Sequence, residues 1–285
     1  MSIVVNTNVS SILVQRSLSQ ATHSIETSLQ RLSTGYKINK AADDAAGLTI
    51  SQSLESQARG AQVAASNGQT GINLLQTAEG DLSIIQDNLQ RIRDLAVQAA
   101  NGTNGTAERN AIKAEVDQRV AEINRLSNAS SFNSIKLLDG TASANGGLSL
   151  QIGTRATASL NSINITSGTI NPLGKADAST LGLGSITNAF ATAAAAASFI
   201  TNVDHAISSV SERRSTIGSL QNRLESAITS LNIQFENMSA SESRIRDVDV
   251  AKEAAMLTRN QILQQASATL LAQANQAPAI ALSLI

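Results

Sequence analysis

The stretch VDHAISSVSERRSTIGSLQNRLESAITSLNIQFENM, residues 203–238, decides the fold. Val203, Val210, Ile217, Leu224, Leu231 and Met238 recur every seven residues without a gap, while Ile207, Ile228 and Phe235 share a companion row that Arg214 and Gln221 interrupt. A seven-residue apolar repeat keeps one stripe of a helix turned toward a neighbouring helix. Single polar residues within the stripe set register or carry their charge to solvent on an apolar stem. This segment is a helix that needs a partner.

The partner lies upstream. Leu75, Leu82, Leu89 and Ala96 form one heptad row, and Ala78, Ile85, Ile92 and Ala99 form a second row three residues on. A helix that starts near Asp43 or Asp44 and reaches Ala100 carries both, and at 1.5 Å per residue it is roughly 80 Å long. Its first half places Leu54, Ala61 and Gly68, and Gln57, Ala64 and Gly71, on the same rows. Such small residues admit a close neighbour, although each glycine costs about 1 kcal/mol relative to alanine in a helix interior.

Shorter elements surround this pair. A helix over residues 10–32 carries Leu18, Ile25 and Leu32 and stops at Gly35, a left-handed cap. Another over residues 106–126 carries Ile112, Val116, Ile123 and Leu126 and folds back on the long helix. A last one starts near Asp247, carries Met256, Leu263, Leu270 and Ala277, and is expected to end at Pro278. Residues 128–185 turn to Gly, Ser, Thr and Asn, and the alternation in 148–152 and 160–165 predicts one hairpin, the only β signal. The fold class is mainly α: an elongated antiparallel coiled-coil or helical bundle pairing the N- and C-terminal halves, with a small central β-hairpin region.

Composition agrees with long helices packed without aromatic anchors. Trp and Cys are absent and aromatics are 2% of the chain, yet the AVILMFWYC group reaches 42%, so burial falls to Ala, Leu, Ile and Val. Lys and Arg number 21 against 22 Asp and Glu, which leaves no electrostatic footprint for nucleic acid. Zero cysteines exclude disulfides and thiolate metal sites. No run reaches the roughly 18 apolar residues of a membrane span, so no membrane insertion is expected, and the N-terminus lacks the pattern of a cleavable signal.

Catalytic chemistry finds little to work with. His23 and His205 have no histidine or cysteine partner at helical metal-ligand spacing. No phosphate loop, nucleophile elbow or zinc-protease motif is present, and Asp43-Asp44 reads as a charged helix start. No enzyme activity, cofactor or metal is expected. The two terminal helices each offer one apolar stripe, too little buried surface to offset the chain entropy of an isolated pair. They are expected to become ordered on self-assembly.

The motifs NTNVSS (6–11), SLQRLSTGYKINKAADDAAGLTIS (28–51), LLQTAEG (74–80), LQRIRDLAVQAANGTN (89–104) and FNSIKLLDG (132–140) resemble the N-terminal half of bacterial flagellin. VDHAISSVSERRSTIGSLQNRLES (203–226), ENMSASESRIRDVDVAKE (236–253) and QILQQASATLLAQANQAP (261–278) resemble its C-terminal half. The resemblance covers most of residues 1–140 and 200–278. It implies an inner, filament-core region from residues 1–43 and 241–285, with Leu18, Ile25, Leu32, Met256, Leu263 and Leu270 as the polymerisation seam. It implies a rod from residues 44–140 and 191–240, whose seam is Leu75, Leu82, Leu89, Val203, Val210, Ile217, Leu224 and Leu231, and a short variable hairpin region at 141–190.

The implied function is a structural subunit that polymerises with itself into the extracellular flagellar filament for swimming, after export through the flagellar type III apparatus. The implied partners are an export chaperone at the C-terminal segment and the filament cap and hook-junction proteins. The segment LQRIRDLAVQ also resembles the family stretch read by the flagellin-sensing Toll-like receptor, which marks Gln90, Arg91 and Leu95, with Glu115 in KAEVDQ, as contact residues. Longer family members carry large outer domains that residues 141–190 leave no room for, so the implied filament is thin and smooth. The tail at Ala279-Ile280-Ala281 departs from the commoner pattern. Two other readings fit parts of the chain: a hook–filament junction protein of the same secretion system, and a helical signalling rod.

Overall fold

The structure is a computed structural model that describes residues 7–155, 157, 161–166, 171–184, 186 and 188–283. Among them are five α-helices: α1 Val9–Thr34, α2 Ala45–Ala100, α3 Thr106–Ala129, α4 Ala193–Arg246 and α5 Val250–Ser283. Two short antiparallel hairpins lie between α3 and α4 in the chain: β1 Ser131–Phe132 with β2 Ile135–Lys136, and β3 Ser149–Gln151 with β4 Ser162–Asn164. The chain divides into two compact units, Met1–Ala58 with Glu236–Ile285, and Arg59–Phe235.

In the unit Arg59–Phe235, cross-helix pairs fix the directions of the helices. Arg93 meets Asp204 at 2.6 Å, the Arg214 guanidinium donates to Gln86 Oε1 at 2.7 Å, and Gly68 faces Ile228. Partner numbers rise along α4 as they fall along α2, so the two are antiparallel. Arg91 with Glu115 at 2.9 Å and Arg119 with Asn88 at 3.2 Å show the same relation between α2 and α3.

The heptad rows lie inside this unit. Leu75, Leu82, Leu89 and Ala96, and Ala78, Ile85, Ile92 and Ala99, have no exposed surface; Val203, Val210, Ile217 and Leu224 also have none, and Leu231 has almost none. The buried face of α2 is nevertheless wider than a two-helix seam, because Ile72, Leu74 and Leu95 are buried beside the rows. The reason is a third and fourth layer of partners. Ile112, Val116 and Ile123 of α3 and Leu137, Leu138, Ile165, Leu173, Leu183 and Phe190 of the central segment belong to the same apolar cluster. A helix contacted on several sides needs the broader stripe of a bundle helix.

The two glycines of α2 that weaken its helix propensity are explained by close neighbours. A Cβ on Gly71 would overlap the Leu150 side chain of β3, and one on Gly68 would sit 2.9 Å from Ile228 Cγ1. The central segment also differs from expectation, since the sequence indicated one hairpin. The additional one, β1–β2, pairs Phe132 with Ile135 across Asn133 and Ser134, whose φ values of 46° and 66° are both left-handed. That is the geometry of a two-residue primed turn, and strands of two residues are too short to show alternation. Of the hairpin that was expected, Leu150 pairs with Ile163; Leu160 lies outside the described residues. Arg213 on α4 holds the segment down by donating to the carbonyls of Gly174 and Lys175 at 2.9 and 3.0 Å, and burial pushes its pKa below the usual arginine value.

In the other unit α1 and α5 pack along each other. Asn8 meets Ala274, Thr22 meets Gln264 and Arg31 meets Glu253, so they too are antiparallel. The sequence placed the end of the last helix at Pro278, but α5 continues through it to Ser283. Proline removes the amide that would bond the Ala274 carbonyl, and the Asn8 side chain donates to that carbonyl at 2.7 Å instead.

These glycine environments separate two substitutions on one helix. Gly71→Ala is expected to lose about 1–3 kcal/mol through overlap with Leu150, whereas Gly80→Ala, with nothing within 4 Å of the added carbon, gains up to about 1 kcal/mol. Thermal unfolding followed by circular dichroism should move in opposite directions for the two.

Candidate assembly and recognition surfaces

A helix pair with a thin interior presents most of its apolar side chains outward. Between α1 and α5, Ala21, Ser28 and Glu253 are buried, and Leu18, Ile25, Leu32 and Met256 are half-buried. The residues expected to form one polymerisation seam are thus divided. Leu263 and Leu270 are 49% and 55% exposed, as are their neighbour Ile262 at 61% and, on α1, Val9, Ile12, Leu13 and Leu29. The inward positions of α5 are Glu253, Met256, Leu257, Asn260, Gln264, Ser267, Leu271 and Ala274. Heptad counting identified an apolar row on α5 but not the side it faces.

Polar contacts tie this unit together where its apolar interior is thin. Arg31 Nη1 lies 3.6 Å from the buried carboxylate of Glu253. Gly35 caps α1 with φ 75°, its amide donating to the Arg31 carbonyl at 2.9 Å. The chain then meets the α4–α5 connection. Lys37 donates its amide to the Arg246 carbonyl at 2.6 Å, Val248 donates to the Gly35 carbonyl at 3.0 Å, and the Arg246 guanidinium stands 4.1 Å over the Tyr36 ring while reaching Glu55 at 3.2 Å. Asp44 accepts the Gly47 amide at 2.9 Å and starts α2. Asp43 instead accepts the amides of Lys40 and Asn39, which hold its carboxyl below the usual carboxylate range.

On the unit Arg59–Phe235, Gln90 and Arg91 are exposed and Glu115 is partly exposed; Arg91 and Glu115 form an ion pair at 2.9 Å. Leu95 stands apart from them, 2% exposed and inside the core. Its register on α2 is legible in the sequence, but the covering of its side by α3 is not. Among the described residues no cluster of three His, Cys, Asp or Glu side chains is arranged to hold a metal ion, and no helix is long and apolar enough to cross a membrane.

Family models describe this architecture at both ends of the chain. The bacterial flagellin N-terminal helical region matches residues 5–143, and the bacterial flagellin C-terminal helical region matches residues 200–285. The chain belongs to the bacterial flagellin family. A flagellin of Bacillus subtilis is 41% identical over 302 residues, covering 99% of both chains, and the flagellar filament 33 kDa core protein of Treponema phagedenis is 39% identical over 290 residues, again covering 99% of both. The fold also resembles the solved structure of a hook-associated protein from Vibrio parahaemolyticus, with a TM-score of 0.55 over 72% of this chain and 100% of that one, at 15% identity. This last likeness concerns the fold alone. Flagellin-family membership accounts for a chain whose matched regions are its two helical ends, with residues 144–199 between them.

Arg246 is the contact on which the α1–α2 and α4–α5 connections converge. Arg246→Ala is expected to raise amide exchange about tenfold at residues 34–38 and 247–249, from the combined loss of the ring contact and the Glu55 pair, while residues 75–95 stay protected. Hydrogen exchange read by mass spectrometry checks both regions in one experiment.

Proposed function

We propose that this chain is a structural, non-enzymatic subunit that polymerises with copies of itself into the extracellular flagellar filament that drives swimming. The observation that carries the reading is the outward apolar surface of the α1–α5 pair, where Leu263 and Leu270 stand about half exposed on a unit with little interior of its own. Exposed leucines on a helix pair with so little interior call for a protein partner, and family membership supports a second copy as that partner. The name of the Treponema phagedenis relative, a filament core protein, supports the same reading.

In this reading residues 1–43 and 241–285 form the inner region of the filament, residues 44–140 and 191–240 form the rod around it, and residues 141–190 form a small outer hairpin region. The rod folds first, since its core is closed within one chain, and the terminal helices gain their remaining contacts as each subunit joins. An export chaperone covers the C-terminal segment before that step, and cap and hook-junction proteins meet the same ends. The seam is Leu18, Ile25, Leu32 and Met256 within the subunit, with Leu263 and Leu270 turned toward neighbours.

Substitution separates these roles. Leu263→Asp and Leu270→Asp are expected to leave the helical circular dichroism of the monomer intact and to abolish filaments in negative-stain electron microscopy, whereas Leu82→Asp unfolds the chain. Filaments of normal length from Leu270→Asp would overturn the assignment.

Receptor recognition, in the same proposal, falls to Gln90, Arg91 and Glu115, with Leu95 holding the helix in place from inside. The Arg91 Nε–Glu115 Oε1 contact at 2.9 Å restrains both side chains, which lowers the entropic cost of binding. Arg91→Ala monomer is expected to need about tenfold more protein to stimulate receptor-reporter cells; an unchanged dose response removes Arg91 from the contact.

A further inference from the structure

Pro278 sits inside α5, five residues short of its end. A helix interior normally resists proline for two reasons: the ring crowds the carbonyl four residues back, and that carbonyl loses its amide donor. Here that carbonyl belongs to Ala274, and it is not left alone. Asn8 Nδ2 donates to it at 2.7 Å across 266 residues of sequence.

The other end of the same amide is also engaged. Asn8 is the N-cap of α1, and its Oδ1 accepts the Ser11 backbone amide at 3.0 Å. These two bonds fix which way the side chain points, because an amide donor at Ser11 requires the oxygen and the Ala274 carbonyl requires the nitrogen. One residue along, the Ser11 hydroxyl donates to Asn275 Oδ1 at 2.8 Å.

We infer that Asn8 is a clasp that completes both ends of the chain at once, capping the first turn of α1 with its oxygen and replacing the amide that Pro278 denies to α5 with its nitrogen. The proline turn of α5 is not finished without α1. An α5 without Asn8 carries an orphan carbonyl one turn before its proline, and an α1 without α5 keeps its cap but leaves the Asn8 nitrogen unpaired. The inference extends the assembly reading without depending on it, since both bonds lie within one chain.

Asn8→Asp isolates the nitrogen. Aspartate is as good an N-cap as asparagine, and its charge is favoured at a helix N-terminus, so a residue that merely caps α1 tolerates the change. The clasp does not, because a carboxylate cannot donate to Ala274. Pro278→Ala restores the missing backbone amide and makes the side-chain donor dispensable.

Full-length wild type, Asn8→Asp, Pro278→Ala and the double variant are compared by hydrogen exchange of peptides covering residues 266–276, in filaments where the wild type forms them and in monomer where it does not. Wild type that stays monomeric counts against the filament reading alone. Asn8→Asp is expected to raise exchange there about tenfold, as for one lost hydrogen bond to a part-buried carbonyl. The double variant is expected to return to within roughly twofold of Pro278→Ala. Unchanged exchange in Asn8→Asp, or a double variant as exposed as Asn8→Asp, overturns the clasp. Peptides over residues 75–95 report in the same samples that the fold is intact.

Discussion

One face of α2 supplies the side chains against which α3, α4 and the central segment all pack. Leu75, Leu82, Ile85, Leu89 and Ile92 are closed off from solvent there without help from tryptophan or disulfides, and with few aromatic rings. Burial of this kind depends on close approach. Gly68 and Gly71 on the earlier turns of α2 let Ile228 and Leu150 come nearer than a residue with a Cβ allows. Leu231 closes on Ala61 and Ala64 in the same way. Small and branched side chains fill the narrow gap between these helices at high density, while the buried rings, Phe190 and Phe199, meet edge to face at 5.5 Å in the same cluster.

The two units solve the burial problem differently. Arg59–Phe235 encloses its apolar surface within the chain, from both long helices and from the loops that cross them. Met1–Ala58 with Glu236–Ile285 encloses less of it, leaving Leu18, Ile25, Leu32 and Met256 half-buried, and polar contacts join its parts: a buried carboxylate beside an arginine, a guanidinium over a tyrosine ring, and backbone bonds joining two connections. Polar contacts are directional and add little net stability each. They define an arrangement and leave its strength to surfaces still uncovered.

The sequence carried the helices well because the heptad period is a long-range regularity: six consecutive matches from Val203 to Met238 leave little freedom, and the α2 rows are equally regular. It carried less of what depends on a third partner. Leu95 belongs to neither row, and follows one and two turns after Arg91 and Asn88, which meet α3. Leu263 and Leu270 fall in a regular row, yet periodicity has no sign and does not say whether a stripe faces the subunit or away from it. The β1–β2 hairpin is too short to alternate. The local chemistry of Pro278 ends an isolated helix, and is incomplete for one with Asn8 beside it. The hairpin apart, the missing information lay in residues of another helix.

The β3–β4 hairpin carries an engineering consequence. Beyond the paired strands, the Ile152 amide donates to the Asn161 carbonyl at 2.8 Å, so the chain leaves and re-enters the ladder at adjacent points. Closing a flexible loop across such a gate costs only slowly more as the loop lengthens, and the core beneath is anchored by Leu150 and Ile163 on the strands themselves. Peptide grafted into this gate inherits a fixed base and leaves the helices undisturbed. In a polymer it would be repeated once per subunit, turning a minor β element into a scaffold for dense antigen display.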